Sequence, residues 1–548
     1  MRNKLVSLLG IMLIASVVIA VCWKNNQQSL LQPTISKQTK QGGQLIYGSL
    51  QEPGTLTPYI SNLLSEVEVQ SLVFSGLVSM NNKLEWQPDA AEIVPLQSNG
   101  GVSWDGLTVT YKLRRGIKWH DGAELTSSDV RYTWQFIMNP RIPVVSRLGY
   151  DKIAAIDTPD PYTVIIRFRE PYSGYLTLFP AILPQHVLGQ QEGDIARAPF
   201  NKYPVGSGPF KFKSWQLADA IYLEANDQYF RGRPRLDKIV YKLQPDINIM
   251  LTQLKTGAID IISNIGQAQL EQVKAISDMQ VLLTPNTIWE HMDYNLDNPL
   301  FADIRVRKAI ILALNRQNMA ATTLKGTAVV ATADQSPSSW AYNPGIVTEI
   351  RDVNGAKRLL SEAGWTTGAN GILVKDGKRL SFNVATISGQ KSREYIKLAI
   401  QQQLREVGIE INFTNYAPDN FTETILRRRN FDMAMYAYVV GVDCDNTNLW
   451  KSANIPAATN NYEGKNYTGW KNAEIDGLTV AGGRTFDQEQ RKQIYFRIQE
   501  LIAQELPCVP LFFRANIDVV KTHVVNFQPS PMPGGNLWNA WEWGMQEK

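Results

Sequence analysis

The sequence predicts a mixed α/β fold, and three stretches support that prediction. Ile249 to Ile262 has the pattern of a helix followed by a strand, as in a βαβ unit. Ser392 to Val407 places most of its apolar side chains on one helical stripe. Ile409 to Phe413 and Met433 to Val440 are rich in apolar residues, which is typical of strands in a sheet covered on both faces.

The first half of the chain begins with a predicted strand, Gln44 to Leu50, and a predicted helix, Glu66 to Phe74. Leu84 to Phe168 is rich in predicted strands and contains one helix, Ser127 to Met138. Within this stretch, Tyr162 to Phe168 alternates between two faces, which is typical of a half-buried strand.

The segment just before that helix has a pattern of its own. Leu107 to Leu113 alternates apolar and polar residues, and a short apolar run, Ile117 to Trp119, and a turn signal, His120 to Gly122, come next. Together they predict a β-hairpin or meander. Thr126 or Ser127 then caps the helix, because a hydroxyl accepts a hydrogen bond from a first-turn N–H.

The rest of the chain contains further periodic segments. Tyr222 to Ala225, Ile239 to Leu243 and Val509 to Phe513 are predicted strands, and Ile494 to Leu506 is a predicted helix. A length of 548 residues suggests three or four domain-sized units.

The composition excludes several classes of protein. Charged residues at 19% and hydrophobic residues at 44% are ordinary for a globular protein, so neither disorder nor a multi-span membrane protein is indicated. The net charge of +4 is spread over well-mixed residues and forms no basic face for phosphates. We therefore expect no nucleic-acid partner.

No pattern indicates a metal site or an enzyme. The four His residues share no metal-ligand spacing, and no CxxC or HExxH occurs. No GxSxG or SxxK stands in a suitable context, so we expect neither catalysis nor a cofactor. Cys444 and Cys508 either form a disulfide or remain buried free thiols.

The N-terminus has the layout of an export signal, because Arg2 and Lys4 precede an apolar run from Leu5 to Val21. As a helix this run is roughly 26 Å long, slightly short for a membrane span. Residues 1–22 are predicted as the leader, and residues 23–42, rich in Gln, Asn, Lys and Ser, as a flexible tether.

Trp104 to Val130, which reads WDGLTVTYKLRRGIKWHDGAELTSSDV, resembles the signature block of the peptide/nickel class of ABC-transporter solute-binding proteins, the oligopeptide- and dipeptide-binding family 5. Further blocks resemble that family in the same order, and the likeness runs roughly from residue 43 to residue 545. They are Gly43 to Pro58 with Phe74 to Leu77, Pro204 to Phe210, Arg231 to Asp237, Asp303 to Ala309, and Ala356 to Trp365.

The resemblance implies a two-lobed periplasmic-binding-protein fold of the large class, type II-like, with an extra strand-rich subdomain in the first lobe. Residues 43–76, 203–295 and 515–548 would form lobe I, residues 77–202 the subdomain, and residues 296–514 lobe II. The chain would cross between the lobes near Asn295 and Arg514.

The resemblance also implies a ligand cleft between the lobes. The segments that would line it are Asn62, Leu63 and Leu64, then Trp289, Glu290 and His291, then Tyr438, Val440, Gly441 and Asp443, and finally Phe512 and Phe513. Two alternatives stay open: the first segment can be a surface loop, and His291 can be a buried, hydrogen-bonded residue of a strand.

Peptide-binding members of the family have Trp-x-x-Asp after the strand aligned with Met433 to Ala437, and its Asp meets the amino group of the peptide. Here the aligned stretch is Tyr438 to Gly441, so Gly stands at the Asp position. Asp443 and Asp445 follow and can either replace that carboxylate or cap a turn.

Ile19 to Cys22 resembles a lipoprotein cleavage box, in which Cys22 would carry the lipid; an uncleaved helix and an ordinary cleaved signal are the alternatives. We expect a monomer at the periplasmic or extracellular face of the cytoplasmic membrane that captures peptides and delivers them to an ABC permease. The alternative ligands are a sugar, a metal chelate, an opine or heme, and a surface sensor or adhesin is a third class.

Overall fold

The computed structural model describes residues 39–189 and 195–546. The predicted leader, with Cys22, lies outside the described residues. Thr39–Lys40, at the end of the predicted tether, already forms a strand of the folded body. In the described part of the chain, no helix has both the length and the apolar character needed to cross a membrane.

The strands are, in chain order, β1 (Thr39–Lys40), β2 (Gln44–Ser49), β3 (Val78–Met80), β4 (Trp86–Pro88), β5 (Thr108–Lys112), β6 (Ile153–Asp160), β7 (Thr163–Phe168), β8 (Phe210–Gln216), β9 (Ala220–Ala225), β10 (Lys238–Leu243), β11 (Ile261–Ile262), β12 (Met279–Tyr294), β13 (Ala328–Val330), β14 (Thr366–Thr367), β15 (Leu373–Lys375), β16 (Lys378–Arg379), β17 (Ser381–Ile387), β18 (Glu410–Tyr416), β19 (Met433–Val439), β20 (Cys508–Lys521), β21 (Val524–Val525) and β22 (Gly544–Gln546).

The α-helices are α1 (Leu64–Val73), α2 (Ser127–Met138), α3 (Gln185–Leu188), α4 (Ile247–Thr256), α5 (Leu270–Lys274), α6 (Ile304–Ala313), α7 (Arg316–Asn318), α8 (Val353–Glu362), α9 (Lys391–Glu406), α10 (Pro418–Asn420), α11 (Thr447–Trp450), α12 (Ala473–Arg484) and α13 (Gln488–Glu505). Short 3₁₀ and π turns join some of them. The α/β prediction is confirmed.

One large sheet runs through the whole molecule in the order β18-β17-β19-β12-β20-β11-β2-β10-β9-β8, with β13 added to β20. Strands β17, β18 and β19 are parallel at one end, and β2, β10 and β11 are parallel towards the other. The antiparallel pair β12 and β20 joins the two parallel groups.

Strands β12 and β20 each pass from one half of the molecule to the other. Their pairing is interrupted between Pro285 and Trp289 by a register shift. Val520 packs in the apolar core that contains Tyr47, whereas Met292 and Tyr294 pack in a separate core with Phe382. We call these halves lobe I and lobe II and propose that β12 crosses between them at residues 286–288, earlier than Asn295.

The strand-rich part of lobe I forms small sheets of its own. Strand β5 pairs with β7, which also pairs with β6. Ile117 to Trp119 forms no regular strand, but the chain turns back at His120 to Gly122 as predicted: Lys118 forms an antiparallel bridge with Glu124, and the N–H of Trp119 donates to Ala123 O over 2.8 Å. Helix α2 begins after Thr126, as predicted, and the N–H of Thr126 donates to Asp129 Oδ2 over 2.8 Å.

The C-terminal segment packs on lobe I. Strand β22 pairs with β1 and β21. The ring of Trp543 is fully buried and lies 6.5 Å from that of Tyr47. Lobe I is therefore assembled from the two ends of the described chain.

Candidate functional site

The two lobes face each other at the carboxyl ends of their parallel strands, the usual place for a site in such sheets. We call the region where β12 and β20 pass between the lobes the hinge. The chain that leaves β11 reaches this hinge, where the N–H of Ile265 donates to Ile517 O over 3.1 Å. The chain that leaves β19 reaches the same region from lobe II, where the N–H of Val440 donates to Thr287 O over 3.0 Å. Loops of both lobes therefore meet beside β12 and β20.

One cavity at this meeting place, the aromatic pocket, has a volume of about 360 Å³. It is built mainly by lobe I, and lobe II contributes Val442. Among its lining side chains are Trp86, Tyr229, Met532, Trp538 and Trp541. Large aromatic rings around a cavity supply apolar surface that accepts side chains of varied shape.

The predicted lobe I segment lies next to this pocket. Leu63 is exposed and Leu64 begins α1. Leu64 and Val67 pack against Gly534, which lines the pocket and has a φ of 74°. Asn62 is exposed on the loop before the helix.

The predicted lobe II loop reaches the pocket through Val442. Tyr438 is half-buried, with Lys465 Nζ 5.0 Å from its ring centroid, and Val440 is buried. Gly441 is exposed, and a Cβ added there would meet no atom within 4 Å. The position at which the family carries its amine-binding carboxylate therefore has open space around it.

Asp443 is held inside the protein. Its carboxylate forms an ion pair with Arg491, and both side chains are nearly buried. The same guanidinium donates to Gly482 O over 3.0 Å and to the Tyr495 hydroxyl over 3.1 Å. Burial raises the pKa of Asp443 against the opposing effect of Arg491. Asp445 accepts a hydrogen bond from the N–H of Thr447 over 2.9 Å, as expected for the alternative in which it caps a turn.

Trp289, His291 and Phe513 lie on one face of the hinge strands and are buried. The rings of Trp289 and His291 stack with centroids 3.9 Å apart. Burial lowers the pKa of His291 to about 4, so the imidazole is neutral at physiological pH. This arrangement matches the alternative in which His291 is a buried residue of a strand.

Glu290 and Phe512 lie on the opposite face, because successive residues of a strand point to opposite sides. Both line a cavity of about 190 Å³, the basic pocket, together with Arg393 and Arg514. Glu290 forms ion pairs with both arginines, at 3.0 Å for Arg393. Burial raises the pKa of Glu290, but Arg514 and Arg393 more than offset it, and the net shift is downward.

Sequence reasoning missed the two arginines and Gln267, which also lines the basic pocket. Gln267 belongs to lobe I and donates to Thr323 O of lobe II over 2.7 Å. It also lines a neighbouring groove of about 880 Å³ between the lobes. A signal was available for Arg393, because it stands on the same helical stripe as Ile396 and Ile400.

The segment predicted to form the extra subdomain, residues 77–202, touches lobe II beside Asp443. Ser173 donates from its hydroxyl to Gly482 O over 3.0 Å, and the ring of Tyr175 lies 5.7 Å from that of Phe486. Arg484 and Glu170 approach to 3.8 Å. These contacts close the cleft at its Asp443 end.

Cys444 and Cys508 are buried free thiols, so the disulfide alternative is wrong. The sulfur of Cys444 lies 3.0 Å from the Ser339 hydroxyl. Within residues 39–189 and 195–546, no group of three or more His, Cys, Asp or Glu side chains is placed to hold a metal ion.

Comparison with known proteins identifies close structural relatives. The oligopeptide-binding protein AppA of Bacillus subtilis is 29% identical over 552 residues, covering 99% of both chains. Its structure in complex with a nonapeptide is 30% identical, covers 93% of this chain and 100% of that one, and gives a TM-score of 0.71. NikA from Brucella suis in complex with Fe(III)-EDTA has the same fold, with 23% identity, coverage of 92% and 100%, and a TM-score of 0.79.

The glutathione-binding protein GsiB of Escherichia coli K12 is 24% identical over 506 residues, or 89% of this chain and 92% of that protein. The family model described as "Bacterial extracellular solute-binding proteins, family 5 Middle" matches residues 85–456. Members of this family bind solutes and are not enzymes. The chain belongs to the family 5 bacterial extracellular solute-binding proteins.

Proposed function

We propose that this protein captures peptides in the cleft between its lobes and delivers them to an ABC permease. The main support is a free strand edge. Strand β19 pairs with β12 along its whole length, but β17 covers its other edge only from Met433 to Met435. Among the described residues, no strand pairs with that edge at residues 436–439. An extended peptide adds its backbone groups to such an edge whatever its sequence.

The aromatic pocket supports the same proposal. It lies beyond the end of β19, where Val442 meets the tryptophans of lobe I. A peptide paired with β19 would direct side chains into this cavity. Its apolar walls accept many side chains and discriminate weakly between them, which is the behaviour needed for uptake of mixed peptides.

Closure of the two lobes about the hinge would tell the permease that a ligand is bound. Among the strands of residues 39–189 and 195–546, only β12 and β20 are shared by the two lobes in the large sheet, and their pairing is interrupted where they cross. A ligand that contacts both lobes stabilises the closed arrangement, because it binds that arrangement more tightly than the open one. The permease would recognise the closed form. We propose that a monomer acts in this way at the outer face of the cytoplasmic membrane, anchored through Cys22.

Mass spectrometry of the molecules that co-purify with the protein tests the ligand class directly. A thermal-shift screen should compare pools of short peptides with glutathione, nickel–histidine, heme, opines and sugars. We expect the peptide pools to raise the melting temperature most. Stabilisation by one of the other classes, with none by any peptide pool, would replace the peptide by that ligand.

A further inference from the structure

We propose that Phe486 acts as a latch, which holds lobe II against residues 77–202 and favours the closed arrangement independently of the ligand. Phe486 lies between α12 and α13. These helices contribute Ile475 and Tyr495 to a core on the lobe II side, whereas the ring of Phe486 packs against the lobe I core, to which Tyr175 belongs. A side chain of one lobe is therefore seated in the other, and it belongs to neither hinge strand.

One wall of the seat is a tight turn in the stretch that reads WDG. The N–H of Gly106 donates to Ser103 O over 2.9 Å, and Asp105 accepts the N–H of Leu107 over 3.0 Å. Gly106 has a φ of 68°, and a Cβ added there would lie only 2.3 Å from Cε2 of Phe486. Glycine is therefore needed at this position both for the backbone conformation of the turn and for the close approach of the ring.

Tyr175 forms the other wall of the seat. Its ring centroid lies 5.7 Å from that of Phe486, a separation at which aromatic rings attract each other. The hydroxyl of Tyr175 donates to Pro95 O over 2.6 Å, and the side chain is buried. The seat is thus held in place before the ring of Phe486 arrives, so little conformational freedom is lost when the contact forms.

Polar contacts surround the ring. Arg484 approaches Glu170 to 3.8 Å at the surface. Gly174 lies so close to Asp443 that an added Cβ would be 2.8 Å from its Oδ2. Together with the hydrogen bond from Ser173 described above, these contacts fix how lobe II meets residues 77–202 and make the seat of Phe486 part of a continuous interface.

The latch contains no ligand atoms, so it acts on the balance between the open and closed arrangements and does not select among ligands. A ligand that binds the closed arrangement has to supply less of the free energy of closure when protein contacts already favour that arrangement. The latch reduces this contribution and does not replace it. Affinity for every ligand enclosed by the lobes should therefore rise by the same factor, whatever the class of the ligand.

Small-angle scattering of the ligand-free protein tests the latch, after co-purified solutes have been removed by denaturation and refolding. We expect Phe486→Ala to lower the ratio of closed to open molecules roughly tenfold, and so to raise the radius of gyration. Arg484→Glu should raise it by a smaller amount, because the new carboxylate would face Glu170. If Phe486→Ala does not refold, as judged by circular dichroism, Phe486→Leu takes its place, since it removes the ring but keeps an apolar side chain.

Two matched controls stay within lobe II. The ring of Phe496 lies 5.6 Å from Lys492 Nζ, and Arg497 pairs with Glu474, so Phe496→Ala and Arg497→Glu should leave the radius of gyration unchanged. An increase in the Phe486 variant and not in the controls would support the latch. No increase in that variant, or an equal increase in Phe496→Ala, would refute it. Because no ligand takes part, either result leaves the peptide proposal to its own test.

Discussion

Two buried carboxylates near the cleft have opposite surroundings. Asp443 faces one guanidinium, and burial raises its pKa against that single partner. Glu290 faces two, and they lower its pKa in spite of complete burial. Arg491 also donates to Gly482 and Tyr495, whereas Arg393 keeps an unpartnered N–H. The guanidinium of the first cluster is held by three partners, while that of the second keeps one buried N–H without a partner among the described residues.

The largest expected effect on stability comes from breaking the ion pair between Asp443 and Arg491. Arg491→Leu would leave Asp443 buried without its cation, so we expect the free energy of unfolding to fall by about 3 to 5 kcal/mol. Chemical denaturation at neutral pH measures the change. Arg497→Leu is the control, because Arg497 lies on the same helix but pairs with Glu474 at the surface. Similar losses in the two variants would contradict the buried role of Arg491.

Removing the carboxylate of Glu290 should lower the free energy of unfolding by less than removing Arg491 does. Glu290→Gln leaves two guanidinium groups together, but Arg514 still reaches solvent, so we expect a loss of about 2 to 3 kcal/mol. Because the pKa of Glu290 is lowered from 4.5, the advantage of the wild type is complete above pH 4.5 and shrinks as the pH falls through the lowered value. Chemical denaturation across this pH range measures the difference in the free energy of unfolding between the wild type and the variant. A difference that grew towards acid pH would contradict the prediction.

A smaller effect is expected at the contact that closes the Asp443 end. Ser173→Ala removes the hydrogen bond to Gly482 O and should cost about 1 kcal/mol. Since this bond joins the subdomain to lobe II, the ligand-free protein should also become more open in small-angle scattering. Ser71→Ala is the control, because that hydroxyl bonds within its own helix, to Glu68 O. An unchanged radius of gyration in Ser173→Ala would show that the contact does not hold the cleft closed.

The smallest effect would restore the missing carboxylate. Gly441 has open space around the position of a Cβ, so Gly441→Asp should fold normally. An exposed carboxylate beside the amino end of a peptide should tighten binding of the free amine by less than about fivefold relative to the acetylated form. Calorimetry with both peptides measures the ratio, and Gly441→Asn supplies the shape without the charge. A preference for the acetylated peptide would count against this placement of the amino end.

The sequence predicted most short elements well, and it failed on the hinge. Val509 to Phe513 was expected as the strand, yet β20 continues to Lys521. The apolar pattern ends where Asn516 and Asp518 begin to alternate, and both are buried and accept hydrogen bonds from other segments of the chain. Asn516 Oδ1 accepts from Asn286 over 2.8 Å, and Asp518 Oδ1 accepts from Asn536 over 2.9 Å. Hydrogen-bond partners that come from distant parts of the chain cannot be predicted from the sequence of one segment.

The candidate site was limited by a similar problem. Alternation along a strand forbids Trp289, Glu290 and His291 from sharing one face, and the structure separates them accordingly. On α9, which lies in the segment predicted as an amphipathic helix, the apolar residue Tyr395 is 47% exposed, whereas Arg393 is buried. Arg393 shares the helical stripe of Ile396 and Ile400, but an interpretation that assigns every charged residue to solvent overlooks an arginine buried beside a carboxylate of a distant strand.

The pairing of β12 with β20 also constrains how the chain acquires its structure. The two strands are separated by more than two hundred residues, and β20 adjoins both β12 and β11 in the sheet. Contacts so distant in sequence form slowly, because a long loop must be ordered first. Until the last tenth of the polypeptide has been made, neither half has its central strand. The nascent chain therefore cannot complete its large sheet before the segment that contains β20 has been made.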